Sequence, residues 1–156
     1  LDGKYNVSPG DAVDCQTART GKCSFYFGPE NADPKKYVRR VVQVIPYRGT
    51  EGTRITFSGW SKTRNVIDKY PPLAGPLYGI GLELFDDKGV SIVMPTEWDY
   101  RQYSAEFSLG THDFEFAESS FISPVNFTCA EVFYFFDEDG EVWMDDARVT
   151  FVPPEM

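Results

Sequence analysis

GEVWMDDARVTF, running from Gly140 to Phe151, is typical of a β-strand that the chain enters through a turn glycine. Side chains of a strand alternate between its two faces, so Asp145 is predicted to share a face with Trp143 and Val149. A carboxylate among apolar neighbours must be compensated by backbone amides, a cation or water. Asp145 is therefore the first candidate for a functional residue.

Strand-like runs recur along the chain between clusters of Gly, Pro, Asp and Asn, and no window holds a helical period. Two of the connections, 85–90 and 136–141, are predicted to be hairpin turns in which Gly89 and Gly140 take positive φ. The pattern indicates an all-β sandwich of about eight to ten strands in one domain spanning residues 1–156. The predicted strands cover residues 23–27, 37–45, 54–62, 78–85, 91–94, 100–109, 114–116, 129–136 and 141–152.

The charge balance limits the classes of partner. The chain has 156 residues and a formal net charge of -9, which repels phosphate backbones and anionic lipids but is compatible with neutral polymers and divalent cations. No apolar run reaches the length of about 18 residues that suits a membrane span, so no membrane insertion is predicted. The chain opens with Leu1 rather than methionine, which indicates a processed or excised segment.

Two of the three cysteines flank a short segment that contains a glycine. Cys15 and Cys23 enclose QTARTGK, in which Gly21 can reverse the chain and bring the sulfurs within bonding range. This spacing favours a disulfide over two free thiols, and a disulfide favours a secreted or cell-surface location. Cys129 lies within an apolar run and is predicted to be a small buried hydrophobic residue.

Alternation in two strands predicts a shallow groove. Trp60 falls on the polar face of its run, and Gly79 and Gly81 flank Glu83 on the face opposite the apolar residues of theirs. If both strands belong to one sheet, these residues form a flat patch with one aromatic wall, a shape that suits sugar rings. Arg40 shares a strand face with valines, so it must pair with a carboxylate such as Glu83 or contact a ligand. The alternative is that Trp60 packs under a loop and Glu83 is a solvated charge.

A second aromatic cluster lies in PTEWDYRQY, which shows no clean alternation. Trp98, Tyr100 and Tyr103 are candidates for glycan contacts if this segment is a loop beside the groove. Aromatic residues that cap the edge of a sandwich are an equally ordinary interpretation.

Signals for catalysis are weak. His112 is the only histidine, and it is predicted to lie in a solvated turn without a nucleophile nearby. No nucleophile elbow and no glycine-rich phosphate loop is present. The sequence singles out no pair of carboxylates for glycoside hydrolysis, so the prediction is a protein that is not an enzyme.

The order of several motifs resembles the galactose-binding-like jelly rolls of extracellular carbohydrate-binding modules, especially the xylan- and glucan-binding type. The resemblance covers nearly the whole chain from about Asp14 onward and implies a jelly-roll β-sandwich of two antiparallel sheets. The motifs are CQTARTGKCSFYF, YVRRVVQV, ITFSGWSK, YGIGLELFDDKG, SLGTHDFEF and GEVWMDDARV.

The resemblance also implies site residues. In that family an aspartate of the last strand and main-chain oxygens of a Thr-Gly-Lys turn help to hold a structural calcium, and Asp145, Thr20 and Lys22 match these positions. Trp60 matches a position where an aromatic ring stacks on sugar in some members, whereas Arg40 replaces a frequent glutamine. The opening strand of the family has no match before Asp14, so it is predicted to be absent or donated.

These observations lead to one preferred function and one alternative. The preferred function is a non-catalytic, secreted or cell-surface module that binds polysaccharide through Trp60, Glu83 and Arg40, with Trp98, Tyr100 and Tyr103 as further contacts and calcium as a structural ion. The alternative is a structural subunit of a surface layer, filament or adhesin that assembles with copies of itself by strand exchange. A third possibility is an accessory domain of a larger parent chain, such as an enzyme or a phage tail fibre.

Overall fold

The computed structural model describes residues 5–6, 12–29, 39–69, 77–93 and 103–155. Eleven β-strands run through these residues, and among them no helix occurs that is long and apolar enough to cross a membrane. The strands are β1 (Tyr5–Asn6), β2 (Ala12–Asp14), β3 (Ser24–Phe27), β4 (Arg39–Ile45), β5 (Arg54–Ile67), β6 (Tyr78–Phe85), β7 (Ser91–Val93), β8 (Ser104–Glu106), β9 (Gly110–Ile122), β10 (Cys129–Phe136) and β11 (Asp139–Val152).

The strands form two antiparallel sheets. In the first sheet the order is β1-β4-β10-β6-β7, and β8 also pairs with β6. In the second sheet the order is β2-β3-β11-β5-β9. This arrangement confirms the predicted jelly-roll β-sandwich. In each sheet, we call the face turned away from the other sheet its outer face.

The hydrophobic core lies between the sheets and is rich in aromatic residues. In β6 the alternate residues Tyr78, Ile80, Leu82 and Leu84 are all fully buried in this core, as the sequence pattern predicts. Phe57 of β5 lies in the same cluster and contributes from the opposite sheet. Burial of these side chains drives the association of the two sheets.

The observed strand bounds agree best with the predicted ones where the hydrophobic pattern is strong. The structure gives β6 and β10 the predicted bounds, whereas β5 continues to Ile67 instead of ending at Lys62. The largest difference is β9, predicted over 114–116 but observed over Gly110–Ile122. Most of β9 pairs with β5. This pairing makes β9 longer than its own sequence predicts, because that sequence is mainly polar.

One of the two predicted hairpins is present. The connection from β6 to β7 is a turn in which Gly89 has a φ of 74° and the Asp86 carboxylate accepts bonds from the amides of Lys88 and Val90. The second connection is not a hairpin, because β10 and β11 belong to different sheets, but Gly140 takes the predicted positive φ, at 118°. Glu138, which lies in the connection between β10 and β11, is buried.

The last strand does not keep the predicted faces. A β-bulge interrupts its pairing with β5 between Asp145 and Arg148, and Asp146 takes a φ of 52°. An inserted residue reverses the alternation beyond it. Trp143 therefore lies on the outer face, whereas Val149 packs against the core, and the prediction that these two share a face is wrong.

Two short strands at the start of the chain, β1 and β2, lie at the edges of the two sheets. Tyr5 and Asn6 pair with β4, and Ala12 to Asp14 pair with β3. Backbone groups at these positions are therefore already paired within the chain. Assembly by strand exchange stays a prediction.

Candidate functional site

An arginine and a glutamate form an ion pair on the outer face of the first sheet. Arg40 Nη1 lies 2.9 Å from Glu83 Oε1, which is the pairing that the sequence predicts. The Arg40 guanidinium lies 4.0 Å from the centroid of the Phe133 ring, and the Ser91 hydroxyl donates to the second oxygen of Glu83 at 3.5 Å. Contact with an aromatic ring and a carboxylate together fixes a guanidinium in one orientation.

Phe133 and Phe135 fill the patch that the sequence predicts to be open. A Cβ added at Gly81 would lie 2.6 Å from the tip of the Phe133 ring, and one added at Gly79 would lie 2.8 Å from that of Phe135. Glycine is therefore needed here so that the two rings can lie over β6. Both rings are 1% exposed and form, with Val42, a hydrophobic cluster separate from the main core.

Trp60 lies on the other side of the molecule from Arg40 and Glu83. Its strand belongs to the second sheet, where Trp60 pairs with Phe116 on one side and Asp145 on the other. The predicted groove that joins Trp60 to Glu83 is therefore wrong, because it assumed one sheet for both strands. Trp60 and Glu83 face away from each other across the sandwich.

The remaining aromatic candidates have different positions. Tyr103 packs against the core, with its ring 4.8 Å from that of Phe121 in an edge-on arrangement. Trp98 and Tyr100 lie outside the described residues. The strands before and after their segment, β7 and β8, both pair with β6.

His112 lies in β9 rather than in a turn. Its two ring nitrogens are each 2.7 Å from a backbone carbonyl oxygen, one of Asp113 and one of Ser108. The imidazole is therefore engaged with the main chain.

The predicted disulfide between Cys15 and Cys23 is present. We call residues 15–23 the disulfide loop. Asp145 accepts hydrogen bonds from the main-chain amides of Arg19 at 2.8 Å and Thr20 at 3.3 Å. These bonds join the loop to the bulge of the last strand and supply the compensation that a half-buried carboxylate requires.

Asp146 completes the attachment of the disulfide loop. Its carboxylate accepts a bond from the Thr20 hydroxyl at 2.5 Å and pairs with the Arg19 guanidinium at 2.9 Å. Burial acts to raise the pKa of Asp146, but these hydrogen bonds outweigh it and the pKa lies below its ordinary value. The positive φ of Asp146 turns this side chain toward the loop.

The residues of the predicted calcium site do not fit a calcium ion as they are arranged. All four carboxylate oxygens of Asp145 and Asp146 accept hydrogen bonds, and the Arg19 guanidinium supplies positive charge beside them. Calcium takes about six to eight oxygen ligands. In the described part of the chain no three His, Cys, Asp or Glu side chains form a group that could hold a metal. Calcium therefore stays a prediction from the resemblance.

Chelation tests the calcium prediction. Since amides and Arg19 already compensate Asp145 and Asp146, we expect excess EDTA to leave the melting temperature within about 1 °C of its value with calcium. Differential scanning calorimetry of EDTA-treated and calcium-loaded protein measures this. A fall of several degrees after chelation, reversed by added calcium, would show that the ion is part of the fold.

Two further carboxylates on the outer face of the second sheet have lowered pKa values. The amide of Gln16 and then the indole of Trp143 donate to Asp14 and lower its pKa. A hydrogen bond and charge from Arg64 lower the pKa of Glu141, which overcomes the opposing effect of burial. All these partners favour the ionised form of the two acids.

Acid should therefore destabilise the protein. The folded-state pKa values of Asp14, Glu141 and Asp146 lie below the ordinary values of 3.8 and 4.5. The stability that these groups contribute is present above the ordinary values and is lost as the pH falls through the folded ones. We expect the urea midpoint to fall steeply only below about pH 4.5, with a shallower fall in Glu141→Gln. The exposed Glu155→Gln variant should follow the wild type, and equal slopes in all three proteins would contradict this account.

The sequence analysis does not identify four residues of the structure as site residues. Two lie at the Arg40–Glu83 pair, Phe133 and Phe135, and two attach the disulfide loop, Arg19 and Asp146. The run CAEVFYFF carries a signal for the two phenylalanines, because apolar residues on both faces of a strand indicate that both faces are covered. No local signal identifies Arg19, whose hydrogen-bond partners Asp145 and Asp146 lie more than 100 positions away in the sequence.

Comparison with solved structures identifies the fold. The chain is similar to the CBM22-1 xylan-binding domain of Xyn10C from Paenibacillus barcinonensis, with a TM-score of 0.54, 12% identity, and coverage of 97% of this chain and 87% of that one. It is also similar to TmCBM61 in complex with β-1,4-galactotriose, with a TM-score of 0.51, 12% identity, and coverage of 96% and 88%.

A third similar structure is the enzymatically active domain of tailspike protein 4 from bacteriophage CBA120. The TM-score is 0.60 at 12% identity, and the match covers 91% of this chain but only 18% of the tailspike chain. No protein-family model and no curated protein matches the sequence. At these identities the likeness shows the fold alone, which is the jelly-roll β-sandwich that the motifs predict.

Proposed function

We propose that this domain is a non-catalytic module that binds polysaccharide on the outer face of the first sheet. The observation that carries the proposal is the Arg40–Glu83 pair held over Phe133. The names of the similar xylan-binding domain and of the galactotriose complex support polysaccharide as the ligand class. The disulfide supports a secreted or cell-surface location.

The ion pair can bind sugar hydroxyls because it is fixed but still partly open. The side chains of Arg40 and Glu83 are 26% and 12% exposed. A guanidinium has five N–H donors and a carboxylate has about four acceptor sites, so both groups keep capacity beyond their mutual bond. Sugar hydroxyls donate and accept at once, and a neighbouring donor and acceptor match them. Because the pair is already oriented, little side-chain freedom is lost on binding.

Aromatic residues would supply the apolar part of the site. Phe133 is buried beneath the pair, so a different aromatic ring must stack on the sugar. Trp98 and Tyr100 are the predicted contacts, since their segment leaves β7 and enters β8 beside the strand that carries Glu83. A sugar ring that lies on an aromatic plane places its C–H groups there and its hydroxyls at the rim.

Titration with glycans tests the proposal. Soluble xylan, mixed-linkage glucan and galactan should be titrated by calorimetry, and one of them should bind with modest affinity, a Kd of about 1 μM to 1 mM. Glu83→Gln should weaken binding at least about tenfold, or by about 1.4 kcal/mol. The control is Glu118→Gln, an exposed acid on the outer face of the second sheet. Equal affinity of the two variants, or no binding across the panel, would overturn the proposal.

Fluorescence locates the contact with Trp98. Binding should change the emission of the wild type, and Trp98→Phe should remove most of that change while Trp143→Phe retains it. Trp143 is a fitting control because its ring is 8% exposed and packs against Tyr26 on the second sheet. A fluorescence change that persists in Trp98→Phe would exclude Trp98 from the site.

A further inference from the structure

We propose that β9 is an edge at which two copies of this chain associate. β9 is the last strand of the second sheet, and among the described residues its only strand partner is β5. The free edge of β9 would pair with that of a second copy and join the two second sheets into one continuous antiparallel sheet. No part of the chain changes places, so this association differs from strand exchange.

The free edge of β9 is regular and unprotected. From Glu115 to Ile122 the strand pairs with β5 without a register shift. Outside the strand ladders, no backbone hydrogen bond between described residues involves residues 114–122. This stretch reads FEFAESSFI and contains neither proline nor lysine, the residues that commonly block an open edge. Its outward amides and carbonyls can therefore bind a partner strand.

The exposed apolar side chains of β9 are arranged so that the strand complements a second copy of itself. Ala117 and Phe121 pack in the core, so the residues that alternate with them point outward. Phe116 and Ile122 are among the outward residues, and each is 47% exposed. Both lie at the same distance in sequence from Ser119. In an antiparallel pair centred on Ser119, the Phe116 of each copy is therefore directly opposite the Ile122 of the other.

Cross-strand pairs of this kind stabilise an antiparallel ladder. An aromatic ring opposite a β-branched residue is a favourable pair, and the pairing covers both exposed side chains of each copy at once. The ring of Phe116 also packs on Trp60, with the two centroids 5.1 Å apart. Because this contact limits the freedom of the Phe116 side chain, little entropy is lost when the second copy binds.

The positions of the acids select the register. In a pair centred on Ser119, Glu118 is opposite Ser120 and Glu115 is opposite Ser123, so neither acid is directly opposite an acid. A centre at Glu118 would place two carboxylates opposite each other, which is destabilising. The net charge of -9 on each copy opposes association. We therefore expect a weak dimer, with a Kd of about 10 μM to 1 mM.

Edge pairing also fixes the orientation of the two copies. Residues directly opposite each other in an antiparallel pair point to the same side of the sheet. The outer faces of the two second sheets would therefore face one way, and those of the two first sheets the other. Both Arg40–Glu83 pairs would face a single surface, and two linked sites raise avidity. This consequence rests on the proposed function, whereas the dimer itself does not.

Sedimentation velocity at chain concentrations from about 5 μM to about 1 mM tests the dimer. We expect the average sedimentation coefficient of the wild type to rise from the value of a monomer toward that of a dimer. Phe116→Lys and Ile122→Glu should each raise the Kd at least about tenfold, because a charge would lose water opposite an apolar side chain. The matched control is Val152→Lys, which should associate as the wild type does. Val152 is 56% exposed and lies on β11, which is not an edge strand.

A mixture of two variants tests the register. When Phe116→Lys is mixed with Ile122→Glu, a pair centred on Ser119 places the introduced ammonium opposite the introduced carboxylate and keeps one pair of the original residues. The mixture should therefore associate nearly as the wild type does, although each variant alone stays mainly monomeric. Melting temperatures of both variants should stay within a few degrees of the wild-type value, because the substituted side chains are exposed.

The outcomes separate this proposal from the proposed function. A wild type that stays monomeric over the whole concentration range would overturn the dimer. Equal weakening by Val152→Lys would place the contact elsewhere and overturn the assignment to β9, and failure of the mixture to associate would overturn the register. These measurements contain no saccharide. Absence of glycan binding would therefore leave the dimer standing, and a monomeric protein would leave the saccharide site on the first sheet standing.

Discussion

Gly79→Ala is expected to lower the free energy of unfolding by about 3 kcal/mol, at the upper end of what overpacking costs. An added Cβ would lie 2.3 Å from the carbonyl oxygen of Ala105 and 2.8 Å from the ring of Phe135. The first of these atoms is backbone in the strand that pairs with Gly79, so it can retreat only if β8 separates from β6. Urea unfolding at neutral pH, followed by tryptophan fluorescence, measures the loss.

Gly89→Ala is the matched control. Gly89 has a φ of 74°, and no atom lies within 4 Å of the position that a Cβ would take. Its substitution should cost only the strain of a left-handed backbone, about 1–2 kcal/mol. If Gly79→Ala costs no more than Gly89→Ala, β8 does not lie against β6 as described.

Loss of the disulfide is expected to have an effect of similar size. The cysteines are eight positions apart, and closing a loop of that length stabilises a protein by about 2.5 kcal/mol according to the chain-entropy model. The double variant Cys15→Ser/Cys23→Ser should lose this amount in urea unfolding. It should also lose the fixed position of the disulfide loop, because the Arg19 amide and guanidinium would no longer be held against Asp145 and Asp146.

Two controls define the disulfide result. Cys129→Ala removes the free cysteine of the chain, and that variant should respond to reducing agent as the wild type does, whereas Cys15→Ser/Cys23→Ser should not respond. Saccharide binding on the outer face of the first sheet should survive in the double serine variant. An unchanged unfolding midpoint after loss of the disulfide would show that the attachment of Arg19 holds the loop without it.

Alternation of side chains predicts a single strand well but does not predict its sheet. The apolar run of β6 and the continuous run of β10 give their bounds correctly, because buried strands carry strong hydrophobic signals. Sheet membership depends on long-range pairing that has no local signature. For this reason Trp60 and Glu83 were predicted to share a groove, although they lie on opposite sides of the sandwich.

The last strand shows a second limit. Its period of two predicts one face for Trp143 and Val149, but the bulge at Asp146 inserts a residue and exchanges the faces beyond it. The bulge lies at the two consecutive aspartates, but their sequence does not predict it. Their function in the fold, to hold the disulfide loop, depends on residues near the other end of the chain.

The candidate site was predictable in part. A charged Arg40 among valines requires a partner, and that physical demand correctly identifies Glu83. The ring beneath the pair was not identified, because the predicted groove assigned the aromatic wall to Trp60. The contacts of Arg19 with Asp145 and Asp146 are not predicted either, since they join the disulfide loop to a strand near the other end of the chain.

Amide chemical-shift mapping tests the central claim most directly. Nitrogen-15 spectra of the labelled wild type should be recorded during titration with the saccharide that binds in calorimetry. We expect large shifts at Arg40, Glu83 and Ser91, on the outer face of the first sheet, and their loss in Glu83→Gln. Saturable binding without shifts at these three residues would contradict the claim that this face binds polysaccharide.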